Sequence, residues 1–150
     1  MFDKEFKYQI LQECVKIQEG KIKIVHDAMN EHQLMANEYG PPRDRYDSFR
    51  SQLLRKRDLF ASQYQKALDE LKILTKINIS NDSKTVEFGS LVITSSQNLF
   101  IATGLGKINV NGHEVYVIST KVPVYMALEG LSEKNTFHIN NNEFVINQVL

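Results

Sequence analysis

No α-helix passes through Gly40-Pro41-Pro42. Proline lacks the amide donor and clashes with the preceding turn, the residue before it is pushed out of the helical region, and glycine tolerates backbone angles that other residues avoid. On both sides of this tripeptide the hydrophobic pattern is helical. The chain must therefore turn here and can start a second helix just beyond, with Pro42 tolerated near its first position. Two long helices joined by a short charged tip, at about residues 38–47, form an antiparallel hairpin.

The first helix is expected from about residue 4 to about 37, with Asp3 as its cap. Ile10, Cys14, Ile17, Ile24, Ala28 and Met35 recur at the four-three alternation of a coiled-coil seam, with Lys21 and Glu31 in the gaps. Leu11, Val15, Ile22, Val25 and Met29 widen the stripe. Gly20 lies inside and costs ~1 kcal/mol relative to alanine, a sign of a bend or of close helix contact. Some 33 residues at ~1.5 Å each span ~50 Å, more than the core of a chain this size needs, so the element is expected to reach outward. The second helix, about 43 to 76, continues the pattern through Tyr46, Phe49, Leu53, Phe60, Tyr64, Ala67, Leu71 and Leu74, with Lys56 as its one polar interruption.

The period changes after the turn-rich Asn78–Ser83. Short runs of alternating valine and isoleucine predict strands at Val86–Phe88 and Leu91–Thr94 around a bend at Gly89. More follow at Leu99–Ala102, Ile108–Val110 and Val115–Ser119, then a terminal hairpin of Thr136–Ile139 and Glu143–Val149 around Asn140-Asn141-Asn142. Asn111-Gly112 is a strong hairpin signal. Pro123 opens a short helix, Val124 to Glu129, that Gly130 closes. The fold class is α+β: a coiled-coil hairpin domain over 1–77, then a small, mostly antiparallel sheet domain with one short helix over 84–150.

Charge bounds the function. The 18 Lys and Arg equal the 18 Asp and Glu, which argues against an indiscriminate nucleic-acid binder. Between Pro41 and Arg57, however, six basic residues face two acidic ones, so the tip is locally basic. A single cysteine, Cys14, permits no internal disulfide; it reads as a small buried hydrophobe, and a reducing cytoplasm is the expected compartment. No segment reads as a membrane span. His26 and His32 lie six apart, off a common helical face, and His113 and His138 have no ligand cluster near them, so no resident metal or cofactor is expected. Gly106-Lys107 lacks the glycine spacing of a phosphate loop, and no nucleophile–base set suggests itself.

Three segments resemble the Gre-type transcription elongation factors, GreA and GreB. Val86-Glu-Phe-Gly-Ser-Leu-Val92 is similar to that family's entry strand, Val122-Pro-Val-Tyr-Met-Ala-Leu-Glu-Gly130 to its short helix, and Phe144-Val-Ile-Asn-Gln-Val149 to its closing strand. They stand in the family's order, behind a helical hairpin of the family's length, so the resemblance covers most of the chain. It implies an FKBP-like C-terminal domain, though no ring of aromatics resembling a prolyl isomerase pocket is present. It also implies a monomer that binds RNA polymerase at the rim of its secondary channel, with Pro123 and Tyr125 at the docking surface and the hairpin threading the channel.

In that family, acidic tip residues help hold a second Mg2+ of the polymerase and orient a water, so that the polymerase cleaves its own backtracked RNA. The factor is not itself an enzyme. The family tip runs approximately Gly-Asp-Leu-x-Glu-Asn-x-Glu-Tyr. Laid on Gly40, its aspartate falls on Pro41, its glutamates on Asp44 and Asp47, its asparagine on Arg45 and its tyrosine on Ser48. The resemblance thus assigns the catalytic carboxylates to Asp44 and Asp47, and contacts with polymerase or nascent RNA to Arg43, Arg45, Arg50, Arg55 and Arg57. Two mechanisms stay open, stimulation of cleavage or occupation of the channel by an altered tip. A different class also stays open: a coiled-coil interaction module unrelated to polymerase.

Overall fold

The computed structural model describes residues 2–39 and 47–150. Two long helices come first, α1 (Lys4–Glu38) and α2 (Asp47–Thr75), followed by β1 (Leu91–Thr94), β2 (Asn98–Ile101), β3 (Gly106–Val110), β4 (His113–Ile118), α3 (Pro123–Leu128), β5 (Thr136–Ile139) and β6 (Asn142–Val149). The α+β class is as expected. Two compact units divide the chain: Met1–Val15 with Ile73–Leu150, and Lys16–Lys72. Among the described residues no helix is long and apolar enough to cross a membrane.

In the first unit the six strands run in the order β3-β4-β2-β1-β6-β5. All neighbours are antiparallel except β2 and β4, which pair in parallel from Asn98↔Val115 to Ile101↔Ile118. The β3–β4 turn uses Asn111 (φ 52) and Gly112 (φ 81), and the β5–β6 turn uses Asn140 (φ 52) and Asn141 (φ 67). Both central residues are left-handed in each, as two-residue hairpins require, and asparagine and glycine reach that region at least cost. Among the described residues one expected strand is absent. Val86–Phe88 joins no ladder; instead Val86 is buried and held by bonds from its N–H to Leu131 O (2.7 Å) and from Gly130 N to its carbonyl (2.9 Å). Its apolar character serves the core while its polar groups bind the turn after α3. Gly89 then turns at φ 89 with Ile77 against it.

The core of this unit gathers Val86, Val92, Leu99, Ile101, Tyr125, Leu128, Phe137, Ile146 and Val149. The start of α1 belongs to the same unit. Asp3 caps it, its Oδ1 accepting the Phe6 N–H at 3.0 Å. Phe2 and Phe6 stack on each other, and both meet the His113 ring edge-on. Gln148 clamps Phe2, donating to its carbonyl and accepting its N–H. Ile10, Cys14 and Leu74 are completely buried.

The second unit holds the body of the hairpin, and here the seam differs from the sequence reading. Ile24 is 70% exposed and Met35 37%, whereas Gln18 and Ala36 are fully buried and Ile22, Val25, Met29 and His32 half-buried. The seam follows Ile10, Cys14, Gln18, Ile22, Val25, Met29, His32 and Ala36. Three successive steps of four after Ile10 slip it by one residue. An α-helix advances 3.6 residues per turn, so a strict 3.5-residue repeat drifts across its face, and a run of fours absorbs the drift. The widening residues Ile22, Val25 and Met29 are thus the seam itself. On α2, Leu53, Phe60, Tyr64, Ala67, Leu71 and Leu74 lie where expected, but the polar interruption is Arg57, while Lys56 is exposed.

Polar groups punctuate this seam. Gln18 Nε2 donates to the Ala67 carbonyl at 2.8 Å and to Glu70 at 3.4 Å. His26 lies against Tyr64, and His32 against Phe60, with ring centroids 5.1 and 5.2 Å apart. Gly20 marks no close approach, since a Cβ there meets nothing within 4 Å. Gly20→Ala therefore raises stability by about 1 kcal/mol through helix propensity and the loss of unfolded-state freedom. A urea melt showing no gain would mean that the glycine serves a strained backbone.

Candidate functional site

Asp44, Arg43, Arg45 and Pro41 lie outside the described residues. What is described of the tip is its two walls. α1 ends at Glu38, and Tyr39 follows with its N–H on the Ala36 carbonyl at 3.2 Å. α2 opens on Asp47, an exposed carboxylate in the first turn, where it complements the positive end of the helix. Tyr39 and Phe49 meet edge-on, centroids 5.1 Å apart, in the T-shaped geometry that aromatic quadrupoles favour. This explains why Phe49 leaves the seam and stays 43% exposed.

The basic residues divide into two kinds. Arg55 and Lys56 are exposed and form no ion pair among the described residues. Arg57 is tied down: it donates to Gln33 Oε1 on α1 and, through Nε at 2.9 Å, to Asp58 Oδ1. Its stem fills a seam position while its guanidinium reaches the edge, so it joins the two helices within this unit. Arg50 is half-buried three residues beyond Asp47, and its Nε is enclosed without a hydrogen bond among the described residues.

In the sheet unit, α3 starts at Pro123, whose missing N–H is no loss at a first position, and stops at Gly130 (φ 79). Pro123 is exposed. Tyr125 is not: it is 7% exposed and sits in the core, and burial pushes its phenol above its usual range, with Glu129 and Glu87 adding to the effect. The outward face instead carries Met126, 66% exposed and three residues from Pro123. The sequence reading passed over Met126, although its i+3 spacing from Pro123 was a usable signal. Among the described residues no group of three or more His, Cys, Asp or Glu is placed to hold a metal ion.

No family model matches the chain, and no curated protein does. Three solved structures align with it along most of its length. The transcription factor Gfh1 is 14% identical, covering 90% of this chain and 92% of its own, with a TM-score of 0.35. GreA factor homolog 1 of Thermus thermophilus is 15% identical over 95% of this chain and 94% of its own, again at 0.35. Gfh1 of Thermus aquaticus is 12% identical over 97% and 94%, at 0.34. At such scores the roles of individual residues rest on this chain's own geometry.

Proposed function

We propose that this chain is a Gre-like transcription elongation factor that binds bacterial RNA polymerase at its secondary channel and modulates elongation. The observation that supports this is where the three family-like segments fall. Val86 and Val92, Tyr125 and Leu128, and Ile146 and Val149 come from three separate stretches and form one core. The resembling residues are those that build the domain, and they follow a two-helix hairpin with a charged tip.

On this reading α3 offers Pro123 and Met126 to the channel rim, with Tyr125 supporting them from behind. The hairpin carries Asp44 and Asp47 to the polymerase active site. There the carboxylates help hold the polymerase's second Mg2+, which activates a water against the RNA phosphodiester. Arg50, Arg55 and Lys56 face nascent RNA or acidic channel walls. A second mechanism has its own support: Pro41 replaces the family's first acidic residue, and Arg43 and Arg45 flank Asp44. These changes weaken a cation site and favour a factor that occupies the channel.

The test is transcript cleavage in stalled, backtracked complexes of the cognate polymerase, comparing wild type with the Asp44→Ala/Asp47→Ala variant. Stimulated cleavage that the double variant loses, with polymerase binding unchanged, is the expected result. Binding and competition with an authentic Gre factor, without cleavage, would assign channel occupation. If the protein neither binds nor competes, the polymerase reading fails and an unrelated interaction module takes its place.

A further inference from the structure

The geometry points to a binding site for a compact, protonated oxyanion of the phosphate class, built around the ammonium of Lys7. Lys7 is only 3% exposed. Its side chain makes no hydrogen bond and no ion pair with any described residue; only its backbone N–H is engaged, by the Asp3 carbonyl at 3.2 Å. The Lys7 Nζ is not itself fully enclosed, but an ammonium largely removed from water with no carboxylate bonded to it is costly. Desolvation, with Lys4 nearby, lowers its pKa, and the charges of Glu87 and Asp82 only partly oppose this. Neither carboxylate bonds to it. Asp82 pairs with Lys4, and Glu87 accepts a hydrogen bond from Asn81 Nδ2 at 2.9 Å.

Lys7 lines a cavity of about 210 Å³ together with Lys76, Asn78, Asn81, Glu87 and Leu150. All of these belong to the sheet unit. The volume lies below the ~300 Å³ at which drug-sized ligands begin, so the occupant is small. Lys7 and Lys76 supply positive charge, and lysine binds phosphate as a point charge. Asn78 spends its Oδ1 on the Ser80 N–H, which leaves its amide group as a donor. A smaller cavity beside the first shares Lys7 and adds Lys84 and the Lys4–Asp82 pair, so the surroundings carry a net positive charge.

Glu87 sets the selectivity. A carboxylate in the wall repels a fully deprotonated anion but accepts a hydrogen bond from one that keeps a proton. Hydrogen phosphate carries such a proton near neutral pH, and a phosphate monoester does below its second pKa of about 6; sulfate does not. The site should therefore prefer phosphate to sulfate, which simple attraction to lysines would not produce.

Isothermal titration of the full chain at about pH 5.5, where both phosphate and AMP keep a proton, with inorganic phosphate, with sulfate at matched ionic strength, and with AMP tests this. Phosphate is expected to bind about tenfold more tightly than sulfate, as one charge-assisted hydrogen bond gained or lost implies. Lys7→Met, whose apolar side chain suits a buried position, should weaken phosphate by about tenfold or more. Glu87→Gln should bring phosphate and sulfate together. AMP binding as tightly as phosphate identifies the ligand as a monoester, and phosphate binding alone identifies the free ion; both uphold the site. Phosphate binding no tighter than sulfate, or unchanged in Lys7→Met, overturns it. Should Lys7→Met fail to fold, Lys76→Met and the Glu87→Gln selectivity decide in its place.

Discussion

Alanine at Leu128 lowers the unfolding free energy by about 3 to 4 kcal/mol, the range for a fully enclosed leucine whose site cannot collapse. Leu128 has no exposed surface and belongs to the cluster that joins α3 to the strands. The walls of the resulting cavity are held from several sides. Val86 is fixed by two backbone bonds to the turn after α3, and Ile146 by bonds with Lys134 and Asn135. Relaxation into the space is therefore limited, and the transfer and cavity terms both apply. Small domains have roughly 5–15 kcal/mol in total, so the loss is a large share. Met126→Ala, two residues earlier and 66% exposed, should stay within about 0.5 kcal/mol. Urea melts check both, with the Leu128 variant shifting the midpoint at constant slope. A loss below about 1 kcal/mol would mean that the three segments do not share a tightly packed core.

What the sequence made legible follows from how local each signal is. Asn111-Gly112 and Asn140-Asn141 name their turns because few residues accept positive φ. Pro123 and Gly130 bracket α3 for equally local reasons. Val86–Phe88 looks like a strand, since alternation reports burial and not pairing; only the later placement of Gly130 and Leu131 decides that Val86 bonds to a turn. The parallel β2–β4 pair is likewise a non-local fact. On α1 a heptad template drawn from Cys14 lands one residue off, because the helix keeps its own period and the real seam includes a glutamine and a histidine that hydropathy discounts.

The site shows the same division. Asp47 at the start of α2 and the exposed Arg55 follow from the break at Gly40-Pro41-Pro42. That Arg57 bonds to Gln33 depends on the pairing of the helices, and that Tyr125 turns inward depends on which face of α3 meets the sheet. Lys7 is the extreme case. In the sequence it is one more lysine on a helix, and its burial arises only when residues 76–90 and Leu150 close around it.

Cys14 should react with a thiol-alkylating reagent roughly a thousandfold more slowly in the native protein than in denaturant. Burial, with Glu13 adding to it, pushes the thiol from 9.0 up to about 12. At pH 8 that removes nearly all of the thiolate, the reactive form, before steric exclusion is counted. The same shift gives a signed pH effect. Below pH 9 both states keep the proton and the contribution is whole. Above pH 9 the unfolded chain ionises and the native one does not, so the unfolded state binds fewer protons and stability falls, by up to about 1.4 kcal/mol per pH unit until about 12. Lys7 acts in the opposite sense just below 10.5, where its lowered native pKa lets stability rise with pH. Comparing wild type with Cys14→Ala at each pH cancels the lysine. The stability difference between the two should shrink by about 2 to 3 kcal/mol from pH 8 to pH 11. A difference that stays flat, together with rapid native alkylation, would place the thiol in contact with solvent and break the continuity of the buried seam at Cys14.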